Sequence, residues 1–201
     1  MPNTKLVRTR VGGDPHVLVV RSSTDDPTPL DLAVAADPDA VLAVTFGDSD
    51  RLFGAWRERA DRQPRDVGVV EVGSTMRSAG AVAAPAAGPV VSGVPDPSDL
   101  AAVRDAMASY LDAWPARGRT VAYVDSVTAL LARAGVDAAT EFLSAAFRLL
   151  GERDAAGYFP LTPSACDRAA VRAVGALFDT VVECVDPDDE VNDESGIVQI
   201  S

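Results

Sequence analysis

The chain has 201 residues, of which 47% are hydrophobic and 5% aromatic, enough to bury one core built mainly of Ala, Val and Leu. Its 30 acidic residues outnumber its 18 basic ones, giving a formal net charge of -12, and Lys5 is the only lysine. This balance argues against nucleic-acid binding, which needs a basic surface, and favours adaptation to a salt-rich cytoplasm over a specific cationic partner.

The cysteines, the histidine and the termini suggest neither a metal site nor export. Cys166, Cys184 and the single His16 have no metal-ligand spacing, and buried reduced thiols are expected rather than a disulfide. The N-terminal stretch lacks the apolar core of a signal peptide, and no run of about 18 apolar residues occurs. We therefore expect a cytoplasmic protein without a membrane span.

The first half of the chain alternates short apolar runs with helical patterns. Strands are predicted at residues 16–20, 40–46 and 67–72, with a short one at 90–92 inside the long loop of residues 73–97. The first helix is expected near Pro29, with Thr28 as its N-cap. Further helices are expected to begin after Asp48 or Ser49, and after Ser98.

The second half is built around a continuous apolar strand at residues 120–124, which stops at Asp125. A short helix at residues 127–134 and a long one capped by Asp137 should follow. The remaining elements are a strand at 157–161, a helix beginning at Ser164 or Asp167, and a strand at 180–185. Such alternation predicts an α/β fold with a doubly wound, mostly parallel sheet flanked by helices.

The domain organisation is predicted to be simple. Residues 1–185 form one domain, and residues 186–201 form an acidic linker followed by a short apolar strand. Because Ile197, Val198 and Ile200 are too apolar to leave in solvent, we expect this strand to add to the edge of its own sheet in preference to a partner's sheet.

One stretch carries a family resemblance. The sequence Asp-Ser-Val-Thr-Ala-Leu-Leu at residues 125–131 resembles the corresponding stretch of KaiC-like and RadA-like members of the RecA superfamily of ATPases, here of haloarchaeal type. The order of elements over residues 15–185 is similar too. The resemblance implies a three-layer sandwich in which Asp125 and Ser126 occupy the Walker B position, whose Asp holds Mg²⁺. Gly47 and Asp48 then stand at the position of the family's acidic pair.

The nucleotide-binding loop departs from that family. Against Gly-x-x-x-x-Gly-Lys-Thr, residues 21–28 match only at Thr28. Arg21 and Asp26 replace the two glycines, and Pro27 replaces the lysine and removes a backbone donor. Asp25 and Asp26 bring negative charge to the space of the triphosphate. We therefore expect no bound cofactor, no metal and no catalytic residue.

Asp125 and Thr28 have plainer interpretations without a working loop. Asp125 could cap the following helix or bond Ser126, which we favour over metal binding, and Thr28 could be an ordinary N-cap.

Three classes of function follow from the sequence. The first is a pseudo-ATPase that acts as a regulatory or scaffolding module, with itself or an intact RecA/KaiC-like ATPase as protein partner. The second is a nucleotide-sensing or hydrolytic enzyme that uses Asp125, Ser126 and Asp48 at the carboxyl edge of the sheet. The third, DNA binding, is disfavoured by the acidic charge.

Overall fold

The computed structural model describes residues 5–10, 16–73, 90–114 and 118–185. The strands are β1 (Lys5–Arg10), β2 (His16–Val20), β3 (Ala40–Thr45), β4 (Asp66–Val72), β5 (Val90–Val94), β6 (Thr120–Asp125), β7 (Ala156–Leu161) and β8 (Thr180–Val185). The helices are α1 (Thr28–Ala35), α2 (Ser49–Arg59), α3 (Leu100–Ala113), α4 (Val127–Gly151) and α5 (Arg168–Gly175), with a 3₁₀ turn at Pro163–Ala165.

All eight described strands form one sheet in the order β1-β8-β2-β7-β6-β3-β4-β5. The seven strands from β2 to β8 are parallel to their neighbours, and β1 is antiparallel to β8. Parallel strands cannot be joined by a tight hairpin and need a crossover connection over a face of the sheet, so most of the strands are joined by helices. The predicted doubly wound, mostly parallel α/β fold is confirmed, and it is consistent with a RecA-like three-layer sandwich.

The sheet is buried on both faces, which explains its continuous apolar strands. On one face, α1 and α2 pack Leu30, Phe53 and Trp56 against the sheet. On the other face, α3, α4 and α5 cover a larger cluster that includes Met107 and Phe142. The side chains of successive strand residues point to opposite faces, so the central strands contribute to both clusters.

The N-terminal strand β1 was not predicted from the sequence. Lys5–Arg10 reads KLVRTR, a stretch without an apolar run, and its pairing with β8 defines it as a strand. Two strands end close to their predicted limits: β3 stops at Thr45, and β6 extends to Asp125.

Helix α4 joins the two helices predicted on either side of Gly135. The backbone of Gly135 is non-helical, with φ 78° and ψ 173°, and a glycine adopts this conformation without the steric penalty of a side chain. The helix is therefore kinked there and continues to Gly151. At α3, Asp99 is the N-cap in place of Ser98, because its carboxylate accepts a hydrogen bond from the Ala102 N–H at 2.9 Å.

Several other sequence predictions can be compared with the described residues. No disulfide joins the two cysteines, of which Cys184 is buried and Cys166 partly buried. None of the described helices is long and apolar enough to cross a membrane. The acidic linker and apolar strand predicted at residues 186–201 lie outside the described residues.

We expect the stability of this fold to rise with salt concentration. The excess carboxylates repel one another in the compact state, and mobile ions screen that repulsion. Thermal melts at KCl concentrations from about 0.1 M to about 3 M measure the effect. Sodium sulfate at matched ionic strength is a useful comparison, because it also strengthens apolar burial. A midpoint that stays constant or falls across the KCl series contradicts the adaptation to salt.

Candidate functional site

The carboxyl edge of the sheet gathers the predicted site residues on three strands and the loops that follow them. Thr45 at the end of β3 lies in register with Asp125 at the end of β6, and Val20 of β2 lies in register with Leu161 of β7. Because β7 separates β2 from β6, a side chain after β2 must span one strand to reach Asp125. Open α/β sheets bind their ligands along this edge.

The side chain of Arg21 reaches across β7 to Asp125. Its guanidinium Nε donates a hydrogen bond to Thr162 Oγ1 at 3.2 Å, and its Nη2 lies 3.6 Å from Asp125 Oδ1. The backbone N–H of Arg21 also donates to the Leu161 carbonyl at 2.9 Å, which extends the ladder between β2 and β7 by one residue. The side chain is only 7% exposed. Arg21 therefore brings a buried positive charge to the centre of the candidate site.

Asp125 pairs with Arg21 and does not cap α4. Ser126 is the N-cap instead, with its hydroxyl accepting from the Ala129 N–H at 3.2 Å, and the peptide bond between Asp125 and Ser126 is cis. Burial raises the pKa of the Asp125 carboxyl above its ordinary value, while the positive charges of Arg21 and Arg51 oppose that rise. The predicted capping role of Asp125 is therefore wrong, since Arg21 is its partner.

In the loop that leads into α1, backbone N–H groups donate hydrogen bonds to acceptors of the same loop. The Asp25 N–H donates to Ser23 Oγ at 3.3 Å, and the Asp26 N–H donates to the Ser23 carbonyl at 3.3 Å. Pro27 has no N–H, and the Thr28 N–H donates to Asp26 Oδ1 at 2.9 Å. Each of the four positions from 25 to 28 thus has its donor occupied or lacks one.

The predicted cap of α1 is also corrected by this geometry. Thr28 is the first helical residue and Pro27 is the N-cap, because the Pro27 carbonyl accepts a hydrogen bond from the Asp31 N–H at 3.0 Å. The carboxylate of Asp26 takes the capping role by bonding the Thr28 N–H. Negative charge there also interacts favourably with the positive end of the helix dipole. A phosphate at this end of α1 would have to displace the protein's own carboxylate.

The acidic-pair position has a structural role. Asp48 is the N-cap of α2, and its Oδ1 accepts from the N–H groups of Asp50 at 2.9 Å and Arg51 at 3.2 Å. The Gly47 N–H donates to the buried Thr45 hydroxyl at 3.0 Å. Asp48 therefore stabilises the start of α2, as its sequence pattern predicted.

Residues after β7 complete the site, and sequence reasoning gave them no role. Thr162 is buried, and its N–H donates to Thr128 Oγ1 at 2.8 Å, which joins the β7 loop to the first turn of α4. Burial raises the pKa of the nearby Cys166 thiol, and a hydrogen bond with Thr128 opposes the shift. A thiol in this state is a poor nucleophile at neutral pH. The only sequence signal for Thr162 was a polar residue at the end of a strand.

The remaining charges at this edge are more exposed. Arg51 Nη2 lies 3.4 Å from Asp25 Oδ1, and both side chains are about four-fifths exposed, at 81% and 80%. Such a pair contributes little to stability. Among the described residues, no group of three or more His, Cys, Asp or Glu side chains is placed to hold a metal ion.

A model of the family described as "Family of unknown function (DUF7504)" matches residues 15–184. The chain belongs to DUF7504. The matched span includes every residue of the candidate site, from Arg21 to Cys166. No curated protein matches the chain. Since the description of DUF7504 names no activity, the resemblance to KaiC-like and RadA-like ATPases stays a prediction.

Proposed function

We propose that this DUF7504 protein is a RecA/KaiC-like pseudo-ATPase, a non-catalytic domain that acts through protein–protein contacts as a regulatory or scaffolding module. The observation that carries the proposal is that the backbone N–H groups of Asp25, Asp26 and Thr28 already donate hydrogen bonds within the loop, while Pro27 has no N–H. A phosphate-binding loop needs free backbone N–H groups that converge on the anion. Here the same groups bond Ser23 and Asp26.

The Arg21–Asp125 pair supports the same conclusion. In the family that the sequence resembles, the Asp at this position holds Mg²⁺ and a lysine reaches the phosphates. In this chain the lysine position is Pro27, and the guanidinium of Arg21 lies beside Asp125. The ligand expected for Mg²⁺ is Asp125, which is already paired with the guanidinium of Arg21. The positive charge of Arg21 would repel an approaching Mg²⁺ and weaken the binding of the metal.

We expect no binding of MgATP, MgADP or MgGTP tighter than about 0.1 mM, because the loss of several charge-assisted hydrogen bonds at roughly 1.5–3 kcal/mol each moves a micromolar site past millimolar. Calorimetric titration in high-salt buffer measures it. The matched control is Asp125→Ala, which removes the carboxylate of the expected metal position. Saturable binding tighter than about 0.1 mM by the unaltered protein would overturn the proposal. If Asp125→Ala then abolishes that binding, the Mg²⁺ role of Asp125 and a nucleotide-sensing function are restored.

One observation favours a second candidate, a nucleotide-sensing or hydrolytic role at the same edge. The raised pKa of Asp125 is the kind of perturbation found at functional sites as well as in structural ion pairs. The close partnership with Arg21 makes the structural explanation the stronger one. The titration with its Asp125→Ala control separates the two candidates.

A further inference from the structure

Strand β5 buries little of its own side-chain surface. Val90 is exposed, the next three residues are partly buried, and only Val94 is buried. One of the partly buried residues, Gly93, has no side chain to pack. Apolar burial is the main source of stability in a sheet, so a strand with so little of it depends more heavily on its hydrogen bonds. Those hydrogen bonds join β5 to β4 and to α3.

Tyr110 of α3 makes the bonds from the helix. Its hydroxyl oxygen lies 2.8 Å from the Val90 carbonyl oxygen, 2.9 Å from the Ser92 hydroxyl and 3.3 Å from the Val69 carbonyl oxygen of β4. A tyrosine hydroxyl has one proton, so it donates to the nearer carbonyl, that of Val90, and accepts from Ser92. One side chain therefore holds the first three residues of β5 by two hydrogen bonds.

The position of the Tyr110 ring is fixed by packing against β4. A Cβ atom at Gly68 would lie 2.7 Å from a ring carbon of Tyr110 and 3.0 Å from Trp114, so a glycine there lets both rings lie directly on the strand. The two ring centroids are 5.9 Å apart. Burial raises the pKa of Tyr110, and the hydrogen bond with Ser92 opposes the rise, so the hydroxyl keeps its proton at neutral pH.

We propose that the hydroxyl of Tyr110 is a latch that holds β5 on the sheet, and that β5 opens locally, while the rest of the domain stays folded, when this latch is released. A strand with little buried surface costs little to expose, and here its attachment to the helix depends on one hydroxyl. Opening frees the ladder between β4 and β5, so β4 becomes an edge strand with unpaired backbone groups.

This inference goes beyond the pseudo-ATPase proposal and does not depend on it. The attachments of β5 that carry it all join described residues on the side of β5 that faces α3 and β4. None of them belongs to the candidate site at Arg21 and Asp125, so the nucleotide titration and the opening of β5 are separate measurements.

Native-state hydrogen exchange measures the opening, in high-salt buffer at a pH where the exchange rate reports the opening equilibrium. Tyr110→Phe keeps the ring against Gly68 and removes the hydroxyl. Amides of the β4–β5 ladder should then exchange about three- to tenfold faster, the factor expected when about one net hydrogen bond is lost. In the unaltered protein, exchange of these amides should depend little on low concentrations of denaturant, because a local opening exposes little surface.

Phe159→Leu is the matched control, because it lowers the stability of the whole domain from β7, which β6, β3 and β4 separate from β5. If β5 opens locally, Phe159 stays packed in the open state, and this variant leaves exchange in the β4–β5 ladder unchanged. Equal acceleration by the two variants overturns the inference, because β5 then opens only when the domain unfolds. Unchanged exchange in Tyr110→Phe overturns the latch.

Ser92→Ala provides a second variant and serves alone if Tyr110→Phe does not fold. It removes one of the two hydrogen bonds and should accelerate exchange of the ladder by a smaller factor. Because Tyr110→Phe already removes the bond to Ser92, the double variant should exchange no faster than Tyr110→Phe. Effects that add in the double variant, or a Ser92→Ala protein with unchanged exchange, would show that the two hydroxyls do not hold β5 together.

Discussion

Replacement of Arg21 with methionine is expected to lower the free energy of unfolding by about 2–3 kcal/mol, slightly less than for a fully buried ion pair because Asp125 is partly exposed. The change removes the hydrogen bond to Thr162 and leaves the Asp125 carboxylate, 34% exposed, without its cation. Denaturant unfolding in high salt measures the loss. Arg51→Met is the matched control, since its partner Asp25 and Arg51 itself are both exposed, and it should change stability little.

The double variant Arg21→Met/Asp125→Leu makes the test specific. Most of the cost of Arg21→Met comes from an uncompensated charge, so removal of that charge should restore much of the lost stability. Losses that simply add in the double variant would show that the two side chains do not act as a pair.

Replacement of Phe159 with alanine is expected to cost about 3–5 kcal/mol of unfolding free energy, the usual range for a large buried side chain. Phe159 is fully buried in β7, and its ring contacts Phe147 and Phe178 edge-on at centroid distances of 5.2 and 5.3 Å. These rings come from α4 and from the segment after α5, so the substitution leaves a cavity where three elements meet.

Phe159→Leu is the matched control, because it keeps most of the volume and should cost clearly less. Both variants are measured by denaturant unfolding under the same conditions. Equal losses for alanine and leucine would mean that the aromatic contacts, and not the filled volume, carry the stability.

The sequence was most informative where burial was continuous. The strands from β2 to β8 were found because a parallel sheet covered on both faces requires apolar runs, as at β3, where all six residues are buried. β1 was missed because its strand conformation comes from pairing with β8, and the pattern of Lys5–Arg10 carries no such signal. The sequence predicts two helices separated at Gly135, because a glycine is compatible both with the end of a helix and with a kink inside one.

At the candidate site, local chemistry was predicted more accurately than partnership. The cap of α2 by Asp48 depends on residues two and three positions away, and the sequence shows them. The pair of Arg21 and Asp125 depends on the position of β7 between their strands, which no spacing along the chain reveals. The sequence places the start of α1 one residue late, because Pro29 suits the first helical position, whereas the helix begins at Thr28.

The hydrogen bond between Arg21 and Thr162 joins residues 141 positions apart along the chain. During synthesis on the ribosome, Arg21 therefore emerges long before β7 and its following loop exist, and of its two side-chain partners Asp125 is made first and Thr162 last. Contacts so distant in sequence form slowly, because a long loop must close first. The carboxyl edge is thus completed late, and a nascent or shortened chain that ends before Thr162 lacks the hydrogen bond that Arg21 donates to that residue.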